Sequence, residues 1–311
     1  MAFSQTKIGF TQDLFVMPFD HRGSFQEKLF GIKGRAPTQD ETKEIASYKQ
    51  IIFDGFKKAL AAGVPRDKAA ILVDEQFGSD ILKQAKADGI MTACPAEKSG
   101  QDEFDFEYGA EFGAHINKFN PSFVKVLVRY NPQADSATNR KQCQRLKQLS
   151  DYCHSHNLKF MFELLVPATP EQLAAVGGNV ARYDKENRPA LMVQAMKEIQ
   201  DSGVEADVWK LEGIETVEDS RKVAAQAHFG GRNDVGVIVL GRGENAEKVK
   251  HWLTTAAGVP GLIGFAVGRT IFWEPLKGVR EGKLTREQAA DQIAQNYKGF
   301  CDLWMNARKK H

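Results

Sequence analysis

Lys210 stands at the centre of Asp207-Val-Trp-Lys-Leu-Glu-Gly213, a short apolar run with strand-like flanks. Period-2 alternation puts Val208, Lys210 and Glu212 on one face and Trp209 and Leu211 on the other. With Trp209 and Leu211 against covering helices, Lys210 points into the protein. A lone buried ammonium is costly to desolvate, so it finds partners or loses its proton. A partly deprotonated lysine is an amine nucleophile, and its commonest chemistry is Schiff-base formation with a carbonyl. Three other strand-like runs carry ionisable groups without a structural reason to do so: Asp20 after Leu14–Phe19, Lys125 within Phe123–Tyr130, and Glu163 within Lys159–Val166.

These residues divide into roles. Lys210 attacks a ketone to give a carbinolamine and then an iminium, whose electron demand lets the adjacent carbon–carbon bond break and leave an enamine. Lys125 beside it depresses its neighbour's pKa, because like charges disfavour the charged form. Glu163 shuttles protons through carbinolamine formation and dehydration, and Asp20 takes the proton from the hydroxyl whose carbon becomes the aldehyde or orients hydroxyls. The sequence permits Glu163 and Asp20 to exchange these roles. Two further runs end in Gly-Arg: Gly241-Arg242-Gly243 and Gly268-Arg269. Glycines let backbone N–H groups approach an anion and arginine adds charge-assisted bonds, so a phosphate site is expected there.

The elements that must position these groups alternate regularly. Strand-like runs occur at 14–19, 69–74, 90–94, 123–130, 159–166, 207–213, 235–240 and 261–267. Helical periodicity covers 41–62, 80–88, 138–156, 189–202, 217–227, 245–256 and 285–307. The stretch 101–120 reads as a long βα loop with a short helix. Near-continuous apolar strands separated by helices indicate a parallel sheet. Eight such units without a linker or composition break predict one α/β domain over 1–311, a (β/α)8 TIM barrel. The competing architecture is an open doubly wound sheet, and no glycine-rich dinucleotide fingerprint follows the first strand to support it. In a barrel, the loops after strands seven and eight are the usual phosphate site.

Composition narrows the partners. The 42 basic and 40 acidic residues give a formal charge of +2, which supplies no argument for nucleic acid or an anionic membrane surface. Cys94, Cys143, Cys153 and Cys301 lack metal-ligand spacing and are expected as free thiols of a reducing compartment. The N-terminus lacks a signal-peptide core and no apolar run approaches 18 residues, so a cytoplasmic location is expected. Neither cofactor nor metal is expected, since His21, His115, His154, His156, His228 and His251 do not converge at strand ends. Oligomeric state is left open.

Asp20-His-Arg-Gly-Ser24, Val124–Val128, Phe162-Glu163, Asp207–Glu212 and Gly264–Trp273 together resemble the class I aldolases of the tagatose-1,6-bisphosphate type, over about residues 14–275. In that family the sixth-strand lysine forms the Schiff base, which falls on Lys210. The aldolase domain of myo-inositol catabolism, often fused behind a sugar kinase, is similar in more detail, through Leu240–Ala246 followed by Gly264–Trp273. That resemblance implies cleavage of 6-phospho-5-dehydro-2-deoxy-D-gluconate to dihydroxyacetone phosphate and malonate semialdehyde, by a version standing alone without the kinase half. Leu211-Glu212-Gly213 replaces the Val-Glu-Val-Pro run of tagatose-type enzymes, and bears on substrate identity. An acid substrate needs a cation for its carboxylate, for which His21, Arg22, Lys98 and Arg129 are candidates at strand ends. The rival expectations are a ketose bisphosphate or sulfo-sugar phosphate substrate, a metal-dependent aldolase or isomerase on the same barrel, and a non-catalytic phosphometabolite sensor.

Overall fold

The computed structural model describes residues 7–310. Eight parallel strands close into a barrel in sequence order: β1 Leu14–Pro18, β2 Ala69–Leu72, β3 Met91–Pro95, β4 Phe123–Arg129, β5 Lys159–Leu165, β6 Val208–Glu212, β7 Gly236–Leu240 and β8 Leu262–Ala266. Pairing of Leu14, Phe15 and Val16 with Gly264, Phe265 and Ala266 makes the closure, so the open-sheet alternative is excluded. Around the barrel lie α1 Gly23–Phe30, α2 Gln39–Ala61, α3 Glu75–Ala87, α4 Phe112–Phe119, α5 Ser136–Ser155, α6 Pro170–Ala175, α7 Val180–Glu186, α8 Arg188–Asp201, α9 Val217–His228, α10 Ala246–Ala257, α11 Arg269–Arg280 and α12 Arg286–Arg308.

Alternation along each strand sorts the side chains into two cores. Val124, Val126, Phe160, Phe162, Trp209 and Leu211 face outward into the layer beneath the helices. Leu14, Val16, Ala70, Leu72, Phe123, Met161, Val208 and Ile238 fill the lumen. Phe10 packs edge-on to Phe123 at 5.2 Å against this inner layer. Asp207, the first residue of the Lys210 stretch, is fully buried just before β6 and has a structural role. Its carboxylate accepts from the N–H groups of Gly9 and Phe160, each at 2.7 Å.

Several boundaries differ from the sequence expectation. Asp74 is no strand residue: it caps α3, accepting from the Phe77 N–H at 2.9 Å, so that helix starts at Glu75 rather than 80. Helices α1, α6, α7 and α11 were not expected. Helix α6 carries a capping box, Thr169 with Gln172, which is legible in the sequence. Helix α11 contains Pro275, which breaks the usual pattern. Among the described residues, no helix is long and apolar enough to cross a membrane, and the four cysteines are free thiols.

Candidate active site

The inward residues of β4 are Phe123, Lys125, Leu127 and Arg129, and they read as depth. Phe123 belongs to the lumen core, while Lys125, Leu127 and Arg129 line a pocket of about 270 Å³ above it. Glu163 on β5 pairs in register with Lys210 on β6 and with Leu127 on β4. Strand register therefore brings Lys125, Glu163 and Lys210 together at the C-terminal mouth, and Asp20 joins them from the end of β1. All four line the pocket, together with His21.

The amines and carboxylates form one buried cluster. Lys210 Nζ is in ion-pair contact with Glu163 Oε1, and Lys210 is 4% exposed. Lys125 Nζ lies 2.8 Å from Asp20 Oδ2, 2.8 Å from Glu97 Oε1 and 3.0 Å from Glu163 Oε2. Glu163 thus bridges the two lysines. Burial pushes the Glu163 carboxyl up, but Lys125 and Lys210 outweigh it and hold it below its usual value. Asp20 is likewise held well below the carboxylate range, burial being outweighed chiefly by Lys125. Burial disfavours the Lys125 ammonium, yet Asp20, Glu163 and Glu97 outweigh it and raise its pKa. Lys125 is therefore not the bare cation expected beside Lys210, because three carboxylates match its charge.

Glu97, on the loop after β3, was not expected in the site. It is 5% exposed, and burial raises its pKa against the pull of Lys125 and Arg22. Its Oε1 faces Lys125, while its Oε2 is buried without a partner among the described residues. A charged residue just beyond Pro95, which closes β3, follows the pattern that singled out Asp20. Lys49 was also missed. It lies on the buried stripe of α2 with Ile45, Ile52 and Phe53 and meets Asp74, the N-cap of α3, both side chains at most 1% exposed.

The anion-site candidates separate. Arg269 begins α11, whose N-cap Gly268 makes no side-chain capping bond. Its guanidinium donates to the carbonyl of Arg242 at 2.9 Å, and no carboxylate lies within ion-pair distance of it among the described residues. Gly241, Gly243 and Gly268 line the pocket beside it. A Cβ on Gly268 would meet the Pro18 carbonyl at 2.3 Å, so glycine is required there. Arg242 differs from the expectation: its side chain pairs with Asp184 at 2.5 Å and Glu212 at 3.2 Å, so its charge is already matched. Arg22 is also tied up, donating to Glu107 at 2.7 Å and to the Glu97 carbonyl at 2.8 Å. That leaves it no free fork for a substrate carboxylate. Arg129 bonds only the Gln101 carbonyl, at 2.6 Å, among the described residues, and retains an unmatched charge at the mouth. Lys98 is exposed on the same rim. His21 Nδ1 is buried without a partner, and burial outweighs the pull of Asp20 to push the imidazole down to about 4, leaving it neutral near pH 7.

The remaining histidines do not converge. His154 meets Asp207, His115 meets Glu75, and His228 meets the Val235 carbonyl. Among the described residues no group of three His, Cys, Asp or Glu is arranged to hold a metal ion.

A closed (β/α)8 barrel with an amine–carboxylate cluster at its C-terminal mouth is the class of protein that fold and site define. The chain belongs to the family described as uncharacterized proteins conserved in bacteria, DUF2090, which matches residues 3–308. It is 23% identical over 202 residues to tagatose 1,6-diphosphate aldolase 2 of Streptococcus agalactiae, covering 63% of this chain and 56% of that protein. It is equally similar to tagatose 1,6-diphosphate aldolase of Listeria monocytogenes, covering 63% of this chain and 54% of that one. The chain thus spans little more than half the length of these relatives. Among solved structures, the fructose-bisphosphate aldolase of Plasmodium falciparum, in complex with TRAP and a small-molecule inhibitor, matches with a TM-score of 0.63 at 12% identity. That match covers 94% of this chain and 91% of the other, and shows the shared barrel.

Proposed function

We propose that the protein is a class I, Schiff-base aldolase acting on a phosphorylated keto-acid, with 6-phospho-5-dehydro-2-deoxy-D-gluconate as substrate and dihydroxyacetone phosphate and malonate semialdehyde as products. The observation that carries this is the buried contact between Lys210 and Glu163, because it joins an amine nucleophile to a proton acceptor inside the pocket at the barrel mouth. Proton transfer from the ammonium to Glu163 frees the amine, which attacks the substrate ketone. Glu163 then returns a proton to the carbinolamine oxygen, water leaves, and the iminium forms. Asp20 removes the proton from the hydroxyl on the carbon that becomes the aldehyde. The carbon–carbon bond breaks, its electrons pass into the iminium, and an enamine of the three-carbon phosphate remains. Protonation of the enamine and hydrolysis of the imine release that product and restore Lys210.

Arg269, with Gly241, Gly243, Gly268 and the start of α11, takes the phosphate, and Arg129 at the opposite rim takes the carboxylate. A second substrate reading, a ketose bisphosphate, is favoured by the names of the curated relatives. The test is cleavage of the keto-acid phosphate and of tagatose 1,6-bisphosphate by the unaltered protein and by Lys210→Ala. The account expects the keto-acid to be cleaved with the higher kcat/KM, and no cleavage of either by the variant. Faster cleavage of the bisphosphate selects the second substrate, and cleavage surviving in Lys210→Ala removes the Schiff base.

A further inference from the structure

Arg242 is bent into the left-handed region, φ 53°, two residues beyond the end of β7. A residue with a Cβ adopts that conformation reluctantly, so something must hold it. Its guanidinium is gripped by two carboxylates: Nη1 donates to Asp184 Oδ2 at 2.5 Å, and Nε lies 3.2 Å from Glu212 Oε1. Both partners are fixed in turn. Glu212 accepts from the Val166 N–H at 2.9 Å. Asp184 accepts from Arg188 Nε at 3.1 Å, and Arg188 Nη2 donates to the Gly213 carbonyl at 2.9 Å. With its side chain drawn away, Arg242 presents its carbonyl to Arg269 Nη2 at 2.9 Å. The neighbouring Gly243, φ 77°, leaves room for that guanidinium, since a Cβ there would lie 2.4 Å from Arg269 Nη2.

We propose that Arg242 is a positioning residue: its ion pairs with Asp184 and Glu212 hold the loop after β7 so that the Arg242 carbonyl aims the Arg269 guanidinium at the bound phosphate. The inference rests on the proposed reading of Arg269 as the phosphate ligand. It assigns the two Gly-Arg arginines unlike tasks, one binding the anion and one shaping the binder. The Glu212 contact also ties this loop to the strand that carries Lys210, two residues away.

The test is equilibrium binding of inorganic phosphate, measured by calorimetry on the whole chain. Arg242→Ala should weaken phosphate roughly tenfold, the scale of a charge-assisted hydrogen bond whose geometry is lost. Added to Arg269→Ala it should weaken binding less than about twofold further, because it acts through Arg269. Arg242→Gly should retain more affinity than Arg242→Ala, since glycine accepts the left-handed backbone without ion pairs. Asp184→Asn, a change outside the pocket wall, should weaken phosphate in the same direction as Arg242→Ala and covers the case in which the alanine variant does not fold. Full multiplication of the Arg242 and Arg269 effects means that Arg242 touches the anion itself and overturns the proposal. So does unchanged affinity in both Arg242→Ala and Asp184→Asn. If Arg269→Ala leaves phosphate affinity intact, the parent assignment of the phosphate site fails instead, and this inference with it.

Discussion

At the scale of residues, the chemistry rests on matched charges. Glu163 touches both lysines, so its loss should be felt in turnover rather than in anion binding. Glu163→Gln is expected to lower kcat for cleavage by about 10²-fold or more, with the dissociation constant for inorganic phosphate changed less than about threefold. Comparable loss of phosphate affinity would move Glu163 out of the proton-transfer role. Glu97→Gln leaves Lys125 with Asp20 and Glu163, and should lower kcat less than Glu163→Gln does. Lys125, Glu163 and Lys210 were legible because an ionisable group inside an apolar strand has few structural explanations, and Asp20 because it directly follows such a run. Glu97 and Lys49 escaped because one lies on a loop and the other looks like any lysine on an amphipathic helix. Arg22 and Arg242 were given binding tasks for a third reason: a sequence shows that a charge exists, not that a carboxylate already holds it.

At the scale of elements, all eight strands were legible, since fully buried parallel strands read as short apolar runs. The helices of the βα loops were less so. Helix α1 has eight residues, and α6 and α7 are shorter still, too few for periodicity to declare itself. Just past the end of β6, Gly213 sits where there is no room for a side chain. A Cβ at Gly213 would lie 2.0 Å from the indole of Trp252, which is 2% exposed and rigidly packed on α10. Gly213→Ala must therefore displace the ring or the strand end that carries Glu212. The expected destabilisation is about 2 kcal/mol or more, read from urea unfolding, together with reduced cleavage. Unchanged stability would mean that the ring moves aside freely.

At the scale of the whole molecule, barrel closure makes neighbours of residues far apart in sequence, and it also buries titratable groups that then couple folding to pH. His21 has its pKa depressed from 6.5 to about 4, so between those values the unfolded chain holds a proton that the folded chain lacks. Stability therefore rises with pH across that window and falls as pH drops from about 6.5 towards 4, by at most about 3 kcal/mol from this group. Glu97, with a raised pKa, acts in the opposite sense just above its ordinary value. The difference in urea midpoints between the unaltered protein and His21→Gln isolates the histidine. That difference should shrink in favour of the variant as pH falls from 6.5 to 4, and a pH-independent difference would contradict the buried neutral imidazole. The central claim is the amine of Lys210 reacting with a ketone in the pocket at the barrel mouth. Borohydride reduction in the presence of dihydroxyacetone phosphate, followed by mass spectrometry of the peptides, should place the reduced adduct on Lys210. An adduct on Lys125, or on no lysine, would contradict it.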